Sequence, residues 1–314
     1  MNKQLLISFL CGLMVVAGTA CKNENTPENK TVQKRHLTIK VQGDEGQSTK
    51  VSPRHIANAS ITDEGTTLIG SWTEGDPVSC CNLSVLSAMN STIITGSMTA
   101  TSTGRRSDLT GTVECMVGDE LAIIYPVVDL SSSSYDMGDG IHGKFTISLA
   151  GQDGTLDRLA SNYHYVYGRA HVVSAAESIA EATMDPMQSL LTVCKFSFED
   201  KDNPGTALPI NMLTISYGGD GDDKNTYPQS ANVEVTSLTT NTQAQAVGVA
   251  SSSVLTINAG GATEVYVALL PEIASRTYNF TVTNNNGTYT GTASAWLKKG
   301  EYVPATGLKL TEQP

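Results

Sequence analysis

HLTIKVQ, residues 36–42, is the stretch on which the fold turns. Leu37, Ile39 and Val41 alternate with Thr38, Lys40 and Gln42. A period of two puts the three apolar side chains on one face, as in a half-buried β-strand. Such a strand needs partners to stay folded. The next residues, GDEGQSTKVSPR (43–54), break regular structure at Gly43, Gly46 and Pro53. From His55 onward the same alternation recurs in short runs separated by turn residues.

In the first part these runs include SWTEGDPVSCCNLSVLS, TIITGSMTATS, LTGTVECMV, the strongly apolar DELAIIYPVV, KFTISLAGQ and YHYVYGRAHVV. The second part restarts with SLLTVCKFSFED and continues through PINMLTISYGG, ANVEVTSLTT, SVLTINAG and TEVYVALLP. TYNFTVTNNNGTYTGTAS places Asn286-Gly287 between two alternating arms, the signature of a hairpin with a type I′ turn. One stretch departs from the pattern. SAAESIAEAT (174–183) has capping-box spacing between Ser174 and Glu177 and predicts a short helix. Strands in series with almost no helix predict an all-β fold of β-sandwiches. Domain size divides it near Met184, into an N-terminal domain (36–184) and a C-terminal domain (185–314).

Upstream of the first strand, residues 1–20 carry Lys3, the apolar core LLISFLCGLMVV and then small residues, a secretory signal pattern too short to span a bilayer. Cys21 follows directly. Gly18-Thr19-Ala20-Cys21 resembles a bacterial lipobox, departing at Gly18 where an apolar residue is usual. This predicts acylation of Cys21, with residues 21–35 as a polar tether. Several acyl chains hold a protein at a membrane firmly, at about 0.8 kcal/mol per buried CH₂.

The 314 residues have 20 basic and 31 acidic side chains, a formal −11. Residues 1–54 hold eight basic and four acidic residues, which leaves 12 against 27 in the rest, a formal −15. An acidic body repels phosphate backbones, so nucleic acid is not an expected partner. Of six cysteines, Cys11 leaves with the signal and Cys21 is the anchor candidate. Cys80, Cys81, Cys115 and Cys194 have no metal-ligand spacing and read as buried thiols, though an exported protein also allows one disulfide. Adjacent on a strand, Cys80 and Cys81 point to opposite faces.

No catalytic signature is present: no HExxH, GxSxG or Walker loop, and no GxGxxG after a strand. The chain therefore reads as non-enzymatic, with no catalytic, cofactor or metal residues assigned. His164 in NYHYVYG reads as a strand-surface histidine. Tyr163, Tyr165 and Tyr167 would share one strand face and could stack on a sugar. The acidic clusters Asp136/Asp139 and Asp220/Asp222/Asp223 lack the EF-hand pattern and read as solvated turns.

SWTEGDPV (71–78), DELAIIYP (119–126), DPMQSLLTVCKFSF (185–198), EVYVALLP (264–271) and WLKKGEYVPATGLKL (296–310) together resemble the fimbrillin family, the type V pilins and related lipoproteins of Gram-negative anaerobes. The resemblance implies two transthyretin-like β-sandwich domains in tandem and export to the outer membrane and cell surface. It also implies a trypsin-like protease that cuts after an arginine past the first strand. The cut frees the strand and opens a groove, which a strand of another fimbrial subunit fills. Carried onto this chain, the cut lies between Arg54 and His55, and the strand-exchange residues are Leu37, Ile39 and Val41. Arg35 is the second candidate, but a cut there leaves the strand attached. Stalk pilins carry a spare C-terminal segment to donate. Here only Thr311 to Pro314 follow ATGLKL, which favours an anchor, tip or accessory subunit. The expected partners are other subunits, the processing protease, the membrane through its lipid, and a host or bacterial surface ligand. The alternative reading is a glycan-binding outer-membrane lipoprotein that does not polymerise.

Overall fold

A computed structural model describes residues 33–41, 60–63, 65, 67–84, 94–130, 134–136, 140–184, 186–236 and 244–314. The first half contributes β1 (Gln33–Val41), β2 (Ser60–Asp63), β3 (Leu68–Ser71), β4 (Pro77–Asn82), β5 (Ile94–Ala100), β6 (Leu109–Cys115), β7 (Glu120–Tyr125), β8 (Ser134–Asp136) and β9 (Gly140–Ser148). A single helical turn, α1 (Leu156–Arg158), runs into a wider π-type turn at Leu159–Tyr163. Then follow β10 (Val166–Ala176), β11 (Ile179–Met184) and the two-residue β12 (Gln188–Ser189). The fold is all-β, as the alternating runs require.

The first sheet runs β11-β1-β6-β5-β4-β7-β10-β12, and β11 also pairs with β10. That last pairing closes the sheet on itself as a barrel, with β12 as an appendage on β10. Its interior holds Leu37, Ile39, Val78, Met98, Leu109, Leu121, Ile123, Val166 and Val172, with Trp72 and Tyr125 in edge-to-face contact at 5.9 Å. A small barrel is filled by side chains from every strand, and alternate residues point outward. Strand β4 shows both faces at once: Cys80 lies in the barrel interior and Cys81 in the neighbouring core. All four described cysteines are buried and free. Burial pushes their thiols up, Cys81 to about 12 and Cys115 to about 11, so they carry no reactive thiolate near neutral pH.

The 174–183 stretch is strand, not helix. It forms the β10–β11 hairpin, with Ala175 opposite Ala180 and Glu177 at the turn with φ +43°. Ala180, Ala182 and Met184 are buried while Ile179 and Glu181 are exposed, a period of two. The barrel interior needs small residues there. Pairing along both edges of β11 outweighs the local preference of alanine and glutamate for helix.

The second half contributes β13 (Thr192–Asp200), β14 (Ile210–Tyr217), β15 (Ser230–Thr236), β16 (Gln245–Gly248), β17 (Leu255–Ala262), β18 (Val265–Leu269), β19 (Arg276–Thr283), β20 (Thr288–Ala295) and β21 (Tyr302–Glu312). Seven of them form one sheet in the order β17-β14-β19-β20-β21-β13-β18. Phe196, Phe198 and Phe280 pack as a triad inside it, with centroids 5.2 to 6.0 Å apart. The β19–β20 hairpin has the expected arms but a four-residue loop in place of a type I′ turn. Asn284 Oδ1 accepts from the N–H groups of Asn286 and Gly287, at 2.8 and 3.2 Å. Neither Asn286 nor Gly287 takes the positive φ that a type I′ turn demands.

Strands from either side of Met184 share a sheet. β9 pairs along its length with β15, giving a four-stranded sheet β16-β15-β9-β8. Phe145 and Ile147 of β9 join the core that also contains Phe196, Val233 and Val267. The segment before α1 covers the outer edge of β18. The Gln152 amide donates to Ala268 O at 3.0 Å and accepts from Ala268 N–H at 2.7 Å, while Tyr266 N–H donates to Gly154 O. A side chain thus stands where a neighbouring strand would, which blunts an otherwise open edge.

An ionic clasp adds to this. Asp63 of β2 accepts from Tyr266 Oη at 2.6 Å and from Gly65 N–H at 2.7 Å, and pairs with Lys195 Nζ at 3.1 Å. Lys195 also reaches Glu264 at 3.1 Å. Burial pushes the Asp63 carboxyl up, but the hydrogen bonds from Tyr266, Gly65 and Lys195 outweigh it and hold the group at about 2. A depressed folded pKa stabilises above the unfolded value and is lost on acidification. The Asp63 contribution should therefore disappear as pH falls from the usual 3.8 toward about 2. Denaturant midpoints of the wild type and Asp63→Asn should differ at pH 6 and converge by about pH 2. A gap that stays constant across this range would assign the clasp no ionic role.

Candidate functional site

The site built around β1 is the barrel's closing seam. β1 pairs antiparallel with β6, from Gln33 opposite Cys115 to Ile39 opposite Leu109. Its other edge pairs parallel with β11, from His36 opposite Ile179 to Val41 opposite Met184. Both edges of one strand are therefore occupied by strands distant in sequence. Leu37 and Ile39 point inward and are fully buried, and so is Arg35 at the end of the same row. The Arg35 guanidinium donates to Glu177 O at 3.2 Å, tying the seam to the β10–β11 turn. The outer face is polar. Thr110 Oγ1 lies 3.0 Å from His36 Nε2, and Lys40 meets Glu181 at 3.5 Å with both side chains exposed. Such exposed pairs contribute little. The apolar row and the two backbone ladders hold β1.

Gly111 of β6 sits opposite Leu37. A Cβ there would lie 2.1 Å from Ser97 O and 2.7 Å from Met98 Cα of β5. Only glycine lets β5 and β6 approach so closely beside the seam. Sequence reading missed this residue, and it missed β11 as the seam's second wall. The available signal was the alternation of Ala180, Ala182 and Met184, masked by helix-forming composition.

Cys21, Arg54 and His55 lie outside the described residues. Val41 is placed by its backbone in β1, facing Met184. Arg35, the second candidate for cleavage, is inside β1, paired with Val113 and 1 % exposed. A protease needs an accessible, extended segment, so the folded chain offers no cut at Arg35. Two further expectations change. His164 is buried at the end of the π-type turn, not on a strand surface, and burial lowers it to about 3, which keeps it neutral. Tyr163, Tyr165 and Tyr167 are all buried, and Tyr163 Oη donates to Ala150 O at 2.8 Å, so they present no stacking face to a sugar. In the second acidic cluster, Asp223 pairs with Arg276 and Asp220 lies 3.9 Å from Lys224. Among the described residues no group of three His, Cys, Asp or Glu is arranged to hold a metal ion.

No protein-family model matches the chain, and no curated protein sequence matches it. Similar solved structures include a "putative cell adhesion protein" from Bacteroides eggerthii DSM 20697, 11 % identical with a TM-score of 0.39, over 91 % of this chain and 89 % of that one. Another protein so described, from Bacteroides fragilis NCTC 9343, is 13 % identical with a TM-score of 0.42, over 87 % and 92 %. The shaft pilin SpaA of Lactobacillus rhamnosus GG is 12 % identical with a TM-score of 0.31, over 90 % and 99 %. At these scores the likeness is one of β-rich build.

The seam makes a direct energetic claim. Leu37→Ala and Ile39→Ala should each lower stability by about 2–5 kcal/mol, since each leaves a cavity in a closed interior. Thr38→Ala, on the outer face, should change it by less than about 0.5 kcal/mol. Urea titration of the three variants checks this, and equal effects at positions 37 and 38 would contradict the inward row.

Proposed function

We propose that this chain is a surface fimbrial subunit or fimbrillin-like adhesin, exported as a lipoprotein on Cys21. The observation that carries the reading is the seam position of β1. It is the first described strand, yet it fills the last gap in the barrel. Its departure would expose the edges of β6 and β11 and the apolar interior between them. Unpaired backbone groups beside apolar surface are costly to leave open. Burying Leu37 and Ile39 is worth about 1.5–3 kcal/mol each, and a donor strand would restore that together with the ladders. The donor would need apolar residues at alternate positions and a direction antiparallel to β6. Cleavage between Arg54 and His55 by a trypsin-like protease would separate β1 from the barrel covalently. The resemblance of five sequence stretches to fimbrillins supports the same mechanism.

The test is limited trypsin digestion of the folded protein, followed by N-terminal sequencing and sizing. A product beginning at His55 is expected, absent in Arg54→Ala. The cut form should assemble, or should take up a synthetic QKRHLTIKV peptide and lose that uptake when Leu37 and Ile39 of the peptide are replaced by Asp. If no product begins at His55, or the cut form stays monomeric and ignores the peptide, strand exchange fails. A surface lipoprotein that does not polymerise then becomes the better account.

A further inference from the structure

We propose that the cleft beside β16 docks a basic, extended peptide segment of a partner protein. The cleft holds about 520 Å³ between Gln245–Gly248 on one side and Pro271, Glu272, Ile273 and Arg276 on the other. It lies apart from the β1 seam, on the second half of the chain.

Three observations define the occupant. First, β16 is the end strand of its sheet, paired with β15 on one side, and no described residue pairs with its other edge. An open edge accepts another extended chain through its backbone groups. Second, the mouth is apolar. Val247 is 59 % exposed and Ile273 89 %, and both line the cleft. Exposed branched apolar side chains in the wall of one cleft favour a partner that covers them. Third, the charge is one-sided. Asp222, Asp223 and Glu272 line the cleft, and among the described residues Arg276 is its single cation.

That cation is already committed. The Arg276 guanidinium lies 3.5 Å over the Tyr217 ring, pairs with Asp223, and reaches Glu272 Oε2 at 3.7 Å. Tyr217 Oη donates to Glu272 Oε1 at 3.0 Å. Asp222 is exposed and, among the described residues, enters no ion pair. Burial, reinforced by the Asp223 charge, pushes the Glu272 carboxyl up. With Asp222, Asp223 and Glu272 set against Arg276, the cleft retains surplus negative charge that an incoming lysine or arginine would neutralise. The fitting ligand alternates apolar residues, to lie on Val247 and Ile273, with basic residues that reach Asp222 and Glu272.

The experiment uses the uncut chain, so its result is independent of β1 release. Two synthetic peptides are compared by fluorescence anisotropy, one alternating Val and Lys, the other alternating Val and Glu. The Val–Lys peptide should bind, and rising salt should weaken it. Asp222→Lys should reduce affinity on the order of tenfold, as an exposed charge reversed beside a cationic ligand. Val247→Lys should reduce it likewise, and hydrogen exchange at Gln245–Gly248 should slow in the complex. Four results would overturn the proposal: no binding of the Val–Lys peptide, equal binding of the Val–Glu peptide, affinity unmoved by both substitutions, or a neutral glycan that occupies the cleft and excludes the peptide. Both substituted positions are exposed, so folding of the variants is expected and is checked by thermal melting.

Discussion

The constraint on which the structure depends is the two-sided pairing of β1. A sheet that curls toward closure is stable only when its first and last strands find each other. Here β6 and β11 do not meet, and β1 stands between them, antiparallel to one and parallel to the other. The strand supplies hydrogen bonds to both edges and a row of fully buried side chains to the interior. Those terms are coupled. Without β1 the barrel loses its edge protection and its inner packing together, and no other described strand pairs with both β6 and β11. The same coupling makes the position suitable for exchange, because any strand with the right alternation would satisfy all the terms at once.

The rest of the molecule is arranged so that this seam is the vulnerable place. The halves are interleaved elsewhere. β9 lies along β15, and the Gln152 amide occupies the outer edge of β18. The Asp63, Lys195 and Tyr266 clasp sits at the same junction. The central strands β4 and β7 bury side chains on both faces, one row in the barrel and one row in the shared core. Opening the molecule at any of those places would expose both a core and a sheet edge belonging to two bodies. At β1 the outer face is polar and its side chains meet only exposed partners, so its cost of removal is confined to one core.

The β16 cleft has the opposite character. The seam is an edge already filled. The cleft is lined by β16, whose second edge no described residue pairs, and its carboxylates are held in place by Tyr217 and Arg276. Under the two proposals the chain would engage extended segments by separate means, one through exchange and one through addition. The two differ in their salt dependence, since the first rests on apolar burial and the second on charge.

The strands themselves were legible in the sequence because a half-buried strand writes its two faces into alternate residues, as in Leu37 and Ile39 against Thr38 and Lys40. The opposed faces of Cys80 and Cys81 were legible for the same reason, since successive side chains on any strand diverge. Composition alone made the body acidic and helix-poor. What the tertiary structure decided were the places where two distant segments impose their needs on a third. β11 is strand because β1 and β10 both pair with it, although its alanines and glutamates are good helix formers. Gly111 matters because β5 passes within contact of its Cα, a fact with no local signature. Tyr163, Tyr165 and Tyr167 could have formed a stacking row and are core, in a cluster to which both halves of the chain contribute. The seam belongs to the same class: alternation identifies β1 as a strand, but its role as the closing strand follows from register with residues 109–115 and 179–184, and register between distant segments is set by packing, not by local propensity.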